Sequence, residues 1–263
     1  MKGLSKMKSK CLILSVVAAL AGFLPQSKAS LSLGSAGSFA VLGGSGVTST
    51  GNTVLNGDLG VAPGTAITGF DSGDSGNVNG AIHNDDEVAK LAQANALSAY
   101  NTLRTLRSET STHNLTGQDL GGLTLVAGVY SFDSSAQLTG TLTLSGSGDF
   151  IFLIGSTLTT ASDSSIVLSG AQACNVFWQV GSSATLGTGT SFNGSILADQ
   201  SITFNTGASM SGSALALNGT VTLDDNVITA VPEAAAIWPL VFCASVFGGW
   251  QGLATWRRKA GRS

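Results

Sequence analysis

Between residues 150 and 226, apolar and polar positions recur in a fixed three-part order. Each turn opens on a nearly unbroken apolar run: Phe150-Ile-Phe-Leu-Ile154, Val176-Phe-Trp-Gln-Val180, Ser195-Ile-Leu-Ala198 and Ser213-Ala-Leu-Ala-Leu217. An alternating segment follows: Thr157-Leu-Thr159, Ser183-Ala-Thr185, Ser201-Ile-Thr203 and Thr220-Val-Thr222. A third segment closes the first three turns at 164–170, 190–194 and 208–212, each ending in Gly. Three strands per turn, with turns of roughly 18 to 26 residues, predict a mainly β protein built as a three-faced β-solenoid.

Side chains alternate between the two faces of a strand. Leu158, Ala184, Ile202 and Val221 must therefore point inward. Their neighbours point out and form two columns: Thr157, Ser183, Ser201, Thr220 and Thr159, Thr185, Thr203, Thr222. The stretch Ser135-Ala-Gln137 continues both columns less regularly. Strand geometry sets the columns about 6.6–6.8 Å apart and successive rungs about 4.7–4.9 Å apart. Thr is common on exposed strands, so one alone says little. Eight hydroxyls in two columns say more. A rival plane lies on the third strand type, through Ser165, Ser191, Asn193, Ser209 and Ser211, but it is richer in Ser and less regular.

The amino-terminal third carries shorter apolar pieces punctuated by Gly, Asn, Asp and Pro, enough for two or three further turns. At Asp85 the period changes. Acidic residues at 85–87 and basic Arg104 and Arg107 bracket a helix in the sense its dipole prefers. Val88, Ala92, Ala96, Ala99, Leu103 and Leu106 recur at three- and four-residue steps along 85–106, one narrow stripe of mostly small side chains. The non-alternating runs at 150–154 and 176–180 are strands buried on both faces, and this stripe is the available cover. By elimination the threonine-bearing sheet faces water.

Composition narrows the function. Of 263 residues only 10% are charged and 35 are Gly, which fits a turn-rich β architecture. Between residues 30 and 230, three basic residues (Lys90, Arg104, Arg107) stand against fourteen acidic ones, a net charge of −11. Such a surface cannot neutralise phosphates, which excludes nucleic acid as a partner. Catalysis by β-helix lyases and hydrolases needs clustered carboxylates in a cleft. Here the repeat strands are nearly free of acids, and Asp149, Asp163, Asp199, Asp224 and Asp225 fall at turns, where Asp serves local hydrogen bonding. His83 and His113 lack zinc-ligand spacing, and the 71–79 loop lacks a calcium motif. The sequence implies no enzyme, metal or cofactor.

The termini differ from this domain. Residues 1–29 combine a basic start (Lys2, Lys6, Lys8, Lys10), an apolar segment at 11–24 and a small-residue site, Ser27-Lys-Ala29: the pattern of a secretory signal peptide. Without it, Cys174 has no partner in the domain at 30–230, so no disulfide framework is expected; the thiol reads as a buried filler. Residues 231–263 hold Val231-Pro-Glu, an apolar run long enough to cross a bilayer and Arg257-Arg-Lys259. This segment resembles the PEP-CTERM sorting signals of Gram-negative bacteria, which implies the membrane and an exosortase-type processing enzyme as partners. Ala234 stands where those motifs usually carry a second Pro. Either as sorting signal or as plain anchor, the segment implies a secreted or cell-surface solenoid.

Residues 31–229 resemble the microbial ice-binding protein family. The resemblance rests on Gly57-Asp-Leu-Gly-Val-Ala-Pro-Gly64, Thr116-Gly-Gln-Asp-Leu-Gly-Gly-Leu123, Gly128-Val-Tyr-Ser-Phe132, Ala173-Cys-Asn-Val-Phe-Trp-Gln-Val-Gly181 and Asn218-Gly-Thr-Val-Thr-Leu223. It implies a discontinuous right-handed solenoid with one long helix along one face, monomeric, and an ice crystal surface as ligand of a flat face. Some members carry Thr-(Ala/Gly)-x-(Thr/Asn) there; Thr50 to Thr53 and Thr65 to Thr68 fit that pattern. The expected contact set is then Thr157, Thr159, Ser183, Thr185, Ser201, Thr203, Thr220 and Thr222, with Thr50, Thr53, Thr65 and Thr68. The competing reading is a non-enzymatic surface or extracellular-matrix adhesion protein for which the solenoid is a spacer.

Overall fold

The computed structural model describes residues 31–109 and 112–232. The leader expected at 1–29 and all but the first two residues of 231–263 lie outside the described residues. All pairings between named strands are parallel, and they run in three ladders. The first ladder stacks Ile82–Asn84, Asp58–Val61, Phe39–Gly43, Ala214–Ala216, Ser195–Ala198 and Val176–Val180, then the second halves of Thr141–Ile154 and Thr124–Phe132, then His113–Asn114. The second stacks Ala136–Leu138, Leu158–Thr160, Ala184–Leu186, Ile202–Phe204, Thr220–Asp224, Gly46–Thr50 and Ala66–Thr68. The third carries the first halves of the two long strands, then Ser165–Ser169, Ser191–Asn193, Ser209–Ser211, Val227–Thr229, Val54–Asn56 and Asn77–Val78.

The stack is not in chain order. Rungs build from Thr124–Phe132 to Val227–Thr229, and the amino-terminal strands are added beyond them. Phe39–Gly43 pairs with Ala214–Ala216, Gly46–Thr50 with Thr220–Asp224, and Val54–Asn56 with Val227–Thr229. A second amino-terminal coil follows, Ile82–Asn84 ends the first ladder, and the helix Glu87–Glu109 carries the chain back to His113–Asn114 at the opposite end. Its 23 residues span about 35 Å at 1.5 Å per residue, roughly seven rungs.

The core has two layers. Inside the coil, residues that share a register position share a column, so Tyr130, Phe152 and Trp178 stack over one another with ring centroids 5.4 and 3.8 Å apart. The indole N–H of Trp178 donates to the Asn193 carbonyl at 3.1 Å and the Tyr130 hydroxyl to the Val126 carbonyl at 2.6 Å, so both polar groups of this column are satisfied. On the outer side of the first ladder Leu153, Leu197 and Leu215 are fully buried, as are Ala92, Ala96 and Leu103 of the helix, whose Gln93 donates to the carbonyls of Ala216 and Leu217 on this ladder's side. Small side chains there let the helix lie close.

The helix begins later than the charge pattern suggests. Asp85 adopts φ 50°, outside the helical region, and Asp86 caps the first turn, its Oδ1 accepting the Ala89 N–H at 2.8 Å. Ala89 rather than Val88 takes the inward position, and Val88 is 45% exposed. The steps 88–92–96 advance four residues twice, drifting about 40° each time at 100° per residue, whereas 89–92–96 stays nearer one line. At the coil corners side chains are excluded: a Cβ on Gly181 would lie 2.4 Å from the Gly155 carbonyl oxygen of the preceding coil. Cys174 is not buried. It is half exposed on a 3-10 turn, Ala173–Asn175, because that turn sits outside the ladders.

Candidate functional site

The second ladder places Val47, Leu158, Ala184, Ile202 and Val221 inside, each at most 1% exposed. Its register then puts Gln137, Thr159, Thr185, Thr203, Thr222, Thr48 and Thr68 directly opposite one another on the outer face, one per rung. No register shift interrupts this file. Thr159, Thr222 and Thr68 are exposed and Thr48, Thr185 and Thr203 half-buried between neighbours. Among the described residues no protein group hydrogen-bonds to the hydroxyl of any of the six threonines. Nor does the file contain an ionisable side chain. Six unpartnered hydroxyls, each beside its own methyl, therefore face outward about 4.8 Å apart.

The neighbouring column is different. Thr157 donates to Ser135 at 2.8 Å, the Ser183 hydroxyl accepts the N–H of Ser201 at 3.3 Å, and the Ser201 hydroxyl accepts the N–H of Thr220 at 3.2 Å. Thr220 in turn shares a 2.9 Å hydrogen bond with Ser45. In the next rungs this column reads Gly46 and Ala66, so its hydroxyls end there. The Ser45 hydroxyl supplies the last link from the corner. This column is tied to itself along the stack, and the first is left free.

The pattern residues of the amino-terminal coils divide. Thr68 continues the file, Thr65 is exposed just before its strand, and Thr50 is exposed at the strand end with its hydroxyl donated to Asp224. Thr53 is not on the face. It is fully buried, and its Oγ1 accepts the N–H of Asn226 at 3.3 Å. Gly51, at φ 68°, turns the chain between Thr50 and Thr53, so the fourth position of the Thr-x-x-Thr pattern starts the next ladder instead of completing this one. Thr48 belongs to the file although the sequence pattern passes over it. Gly46-Val-Thr48 alternates like the other triplets, but it opens on Gly and its partner Thr222 lies in a distant part of the chain.

The rival plane is also in register, Ser165 with Ser191 and Ser209, Asn193 with Ser211. One column runs on into Val227 and Val54 and the other into Thr229 and Asn56, and the amides are engaged within the protein: Asn193 donates to the Ile166 carbonyl at 2.8 Å, Asn56 to Thr229 at 3.1 Å and Asn79 to Asn56 at 2.9 Å. His83, bonded to Asp86 at 2.7 Å, and His113, against Tyr130, occupy opposite ends of the stack. Among the described residues no group of three His, Cys, Asp or Glu is placed to hold a metal ion, and no helix is long and apolar enough to cross a membrane.

Fold and face together define a coil-repeat protein that presents a broad, regular sheet surface. The family model described as ice-binding-like matches residues 41–229, and the chain belongs to that family. It is 51% identical over 245 residues to an ice-binding protein of Nostoc sp. (strain HG1), with 89% of each chain covered. Among solved structures it is similar to an ice-binding protein from the Antarctic ascomycete Antarctomyces psychrotrophicus, 40% identical with a TM-score of 0.71 over 78% of this chain and 100% of that one. An ice binding protein from an Antarctic biological consortium is 43% identical, with a TM-score of 0.72, over 78% of this chain and 93% of that one.

Proposed function

We propose that the protein adsorbs to ice through the outer face of the second ladder, with Thr159, Thr185, Thr203, Thr222, Thr48 and Thr68 as the primary contact. Thr157, Ser183, Ser201 and Thr220 border them, and Thr50 and Thr65 lie at the margin. The observation that carries this reading is the in-register file of threonines whose hydroxyls have no partner among the described residues. Six threonine rungs at about 4.8 Å make a file about 24 Å long. Each hydroxyl holds a water at a position fixed by the backbone ladder, while the methyl beside it keeps the water layer from binding side chains in other geometries. Thr has restricted χ1 freedom. Little conformational entropy remains to be lost on adsorption, so the gain from many weak contacts is not spent on ordering the protein.

In this reading the coil is a right-handed, three-faced solenoid that works as a monomer and without catalysis. Residues 1–29 export it, and residues 231–263 sort or tether it at the membrane through an exosortase-type enzyme, leaving 30–230 outside the cytoplasm. The basic start and apolar run of the first segment, and the Pro-Glu, apolar run and Arg cluster of the last, support this placement. Replacing Thr203 by Tyr raises a ring in the middle of the file. Thermal hysteresis and recrystallisation inhibition should vanish while circular dichroism is unchanged. Full activity in that folded variant would overturn the assignment and favour a spacer or adhesion role.

A further inference from the structure

The file of threonines is assembled from two chain segments. Thr159 to Thr222 sit on coils that follow one another in sequence, whereas Thr48 and Thr68 arrive on amino-terminal coils that no neighbouring corner connects to the Thr222 rung. Along a continuous solenoid, each covalent corner restrains the register of the next rung. At this joint that restraint is missing. The in-out alternation cannot replace it, because a slip of two residues returns every side chain to its own face. Such a slip would set Thr48 opposite Thr220 and still bury Val47.

Two carboxylates occupy this joint. Asp224 Oδ1 accepts the Thr50 hydroxyl of the amino-terminal coil at 3.0 Å, and its Oδ2 accepts the Thr206 hydroxyl of the coil below, so one side chain ties three rungs. Asp225 Oδ1 accepts the N–H of Asn52 at 2.6 Å, and its own N–H donates to the Thr50 carbonyl at 3.1 Å. Asp225 holds φ 52° to do so. Gly51 is the residue that lets the carboxylate in, since a Cβ there would lie 2.3 Å from Asp225 Oδ1. These are hydrogen bonds across more than 170 positions of sequence.

We propose that Asp224 and Asp225 are positioning residues of the ice-contacting face: a latch that sets Thr48 and Thr68 in line with Thr222 and so completes the last third of the file. The proposal rests on the ice-adsorption reading above. The test is a mutant cycle in the full chain, read as thermal hysteresis at equal concentration with folding checked by circular dichroism. Thr48→Ala with Thr68→Ala should lower activity about two-fold or more, and Asp224→Ala with Asp225→Ala should lower it by a similar factor. Combining all four should cost no more than either pair, because both remove the same rungs, whereas adding the Asp pair to Thr159→Ala should multiply the two losses. A destabilised but correctly registered protein would not show that selective non-additivity.

Losses that multiply in the fourfold variant, or full activity in the folded Asp pair, would overturn the latch. Should the Asp pair not fold, Asp225→Asn read by amide hydrogen exchange keeps the test: selectively faster exchange across 46–50 supports the latch, and unchanged exchange there overturns it. The two readings fail separately. If Thr185→Ala with Thr203→Ala keeps full activity, adsorption through this face is wrong. If that pair loses activity and the Thr48 and Thr68 pair does not, only the latch is wrong.

Discussion

Two outward columns share one face, but only one is free to hold water, and this separates stability from activity. Consider Ser183→Ala with Ser201→Ala against Thr185→Ala with Thr203→Ala, four residues on the same two rungs. The serine pair removes acceptors for the N–H groups of Ser201 and Thr220, at 3.3 and 3.2 Å. Each such bond contributes about 0.5–1.5 kcal/mol, and half-exposed ones lie at the low end, so the pair should cost about 1–2 kcal/mol. The threonine pair loses no protein hydrogen bond, but it exchanges good strand formers for a poor one on a scale spanning about 1 kcal/mol, again about 1–2 kcal/mol. For a domain of this size either loss lowers Tm by about 2–8 °C. Both variants remain folded near 0 °C, where ice assays run.

Their activities should differ sharply. Removing Thr185 and Thr203 leaves Thr159 alone on one side and Thr222, Thr48 and Thr68 on the other, so the contacts no longer act as one multivalent strip. Thermal hysteresis should fall about two-fold or more in this pair and stay near the parent value in the serine pair. Differential scanning calorimetry and nanolitre osmometry on the same preparations give both numbers. Equal loss of activity in the two pairs at similar Tm would refute the reasoning and return both columns to the contact.

Trp178→Ala should be the most damaging single change in the interior, costing about 3–5 kcal/mol and lowering Tm by about 6–20 °C, since the fully buried indole bridges Phe152 and Phe192 in the aromatic column. Thermal melts check it. Acid should loosen the end of the stack opposite the amino-terminal coils. Partial burial pushes the Asp119 carboxyl up, but the N–H groups of Gly121 and Thr139 that it accepts outweigh this and hold it below its ordinary 3.8. A carboxyl depressed on folding stabilises above that reference value, and its contribution is lost as pH falls through the lower folded value. Protection of the Gly121 and Thr139 amides, taken relative to their intrinsic exchange rates at each pH, should therefore fall below about pH 4 in the parent and be less acid-dependent in Asp119→Asn.

The alternation of the repeat triplets alone told which side chains of 157–159, 183–185, 201–203 and 220–222 face out, because a strand has no other way to bury Leu158, Ala184, Ile202 and Val221. The helix and the ladder it covers were legible for the same reason, in periodicity. Thr48 and Thr53 were not. Each sits in a plausible short motif, and whether it faces water or core depends on where Gly51 turns the chain and which distant strand receives it.

What the sequence by itself determined is local: the period of each strand and helix, the outward threonine triplets, and the excess of acidic over basic residues between 30 and 230. What only the tertiary structure decided is long-range: that amino-terminal rungs extend the file beyond Thr222, that one hydroxyl column is bonded to itself and the other is free, and that Asp224 and Asp225 reach across the joint and do not serve local turns alone. The physical reason is that hydrogen-bond partners in a parallel stack come from neighbouring coils. A chain that adds its first coils onto its last separates those partners by most of its length.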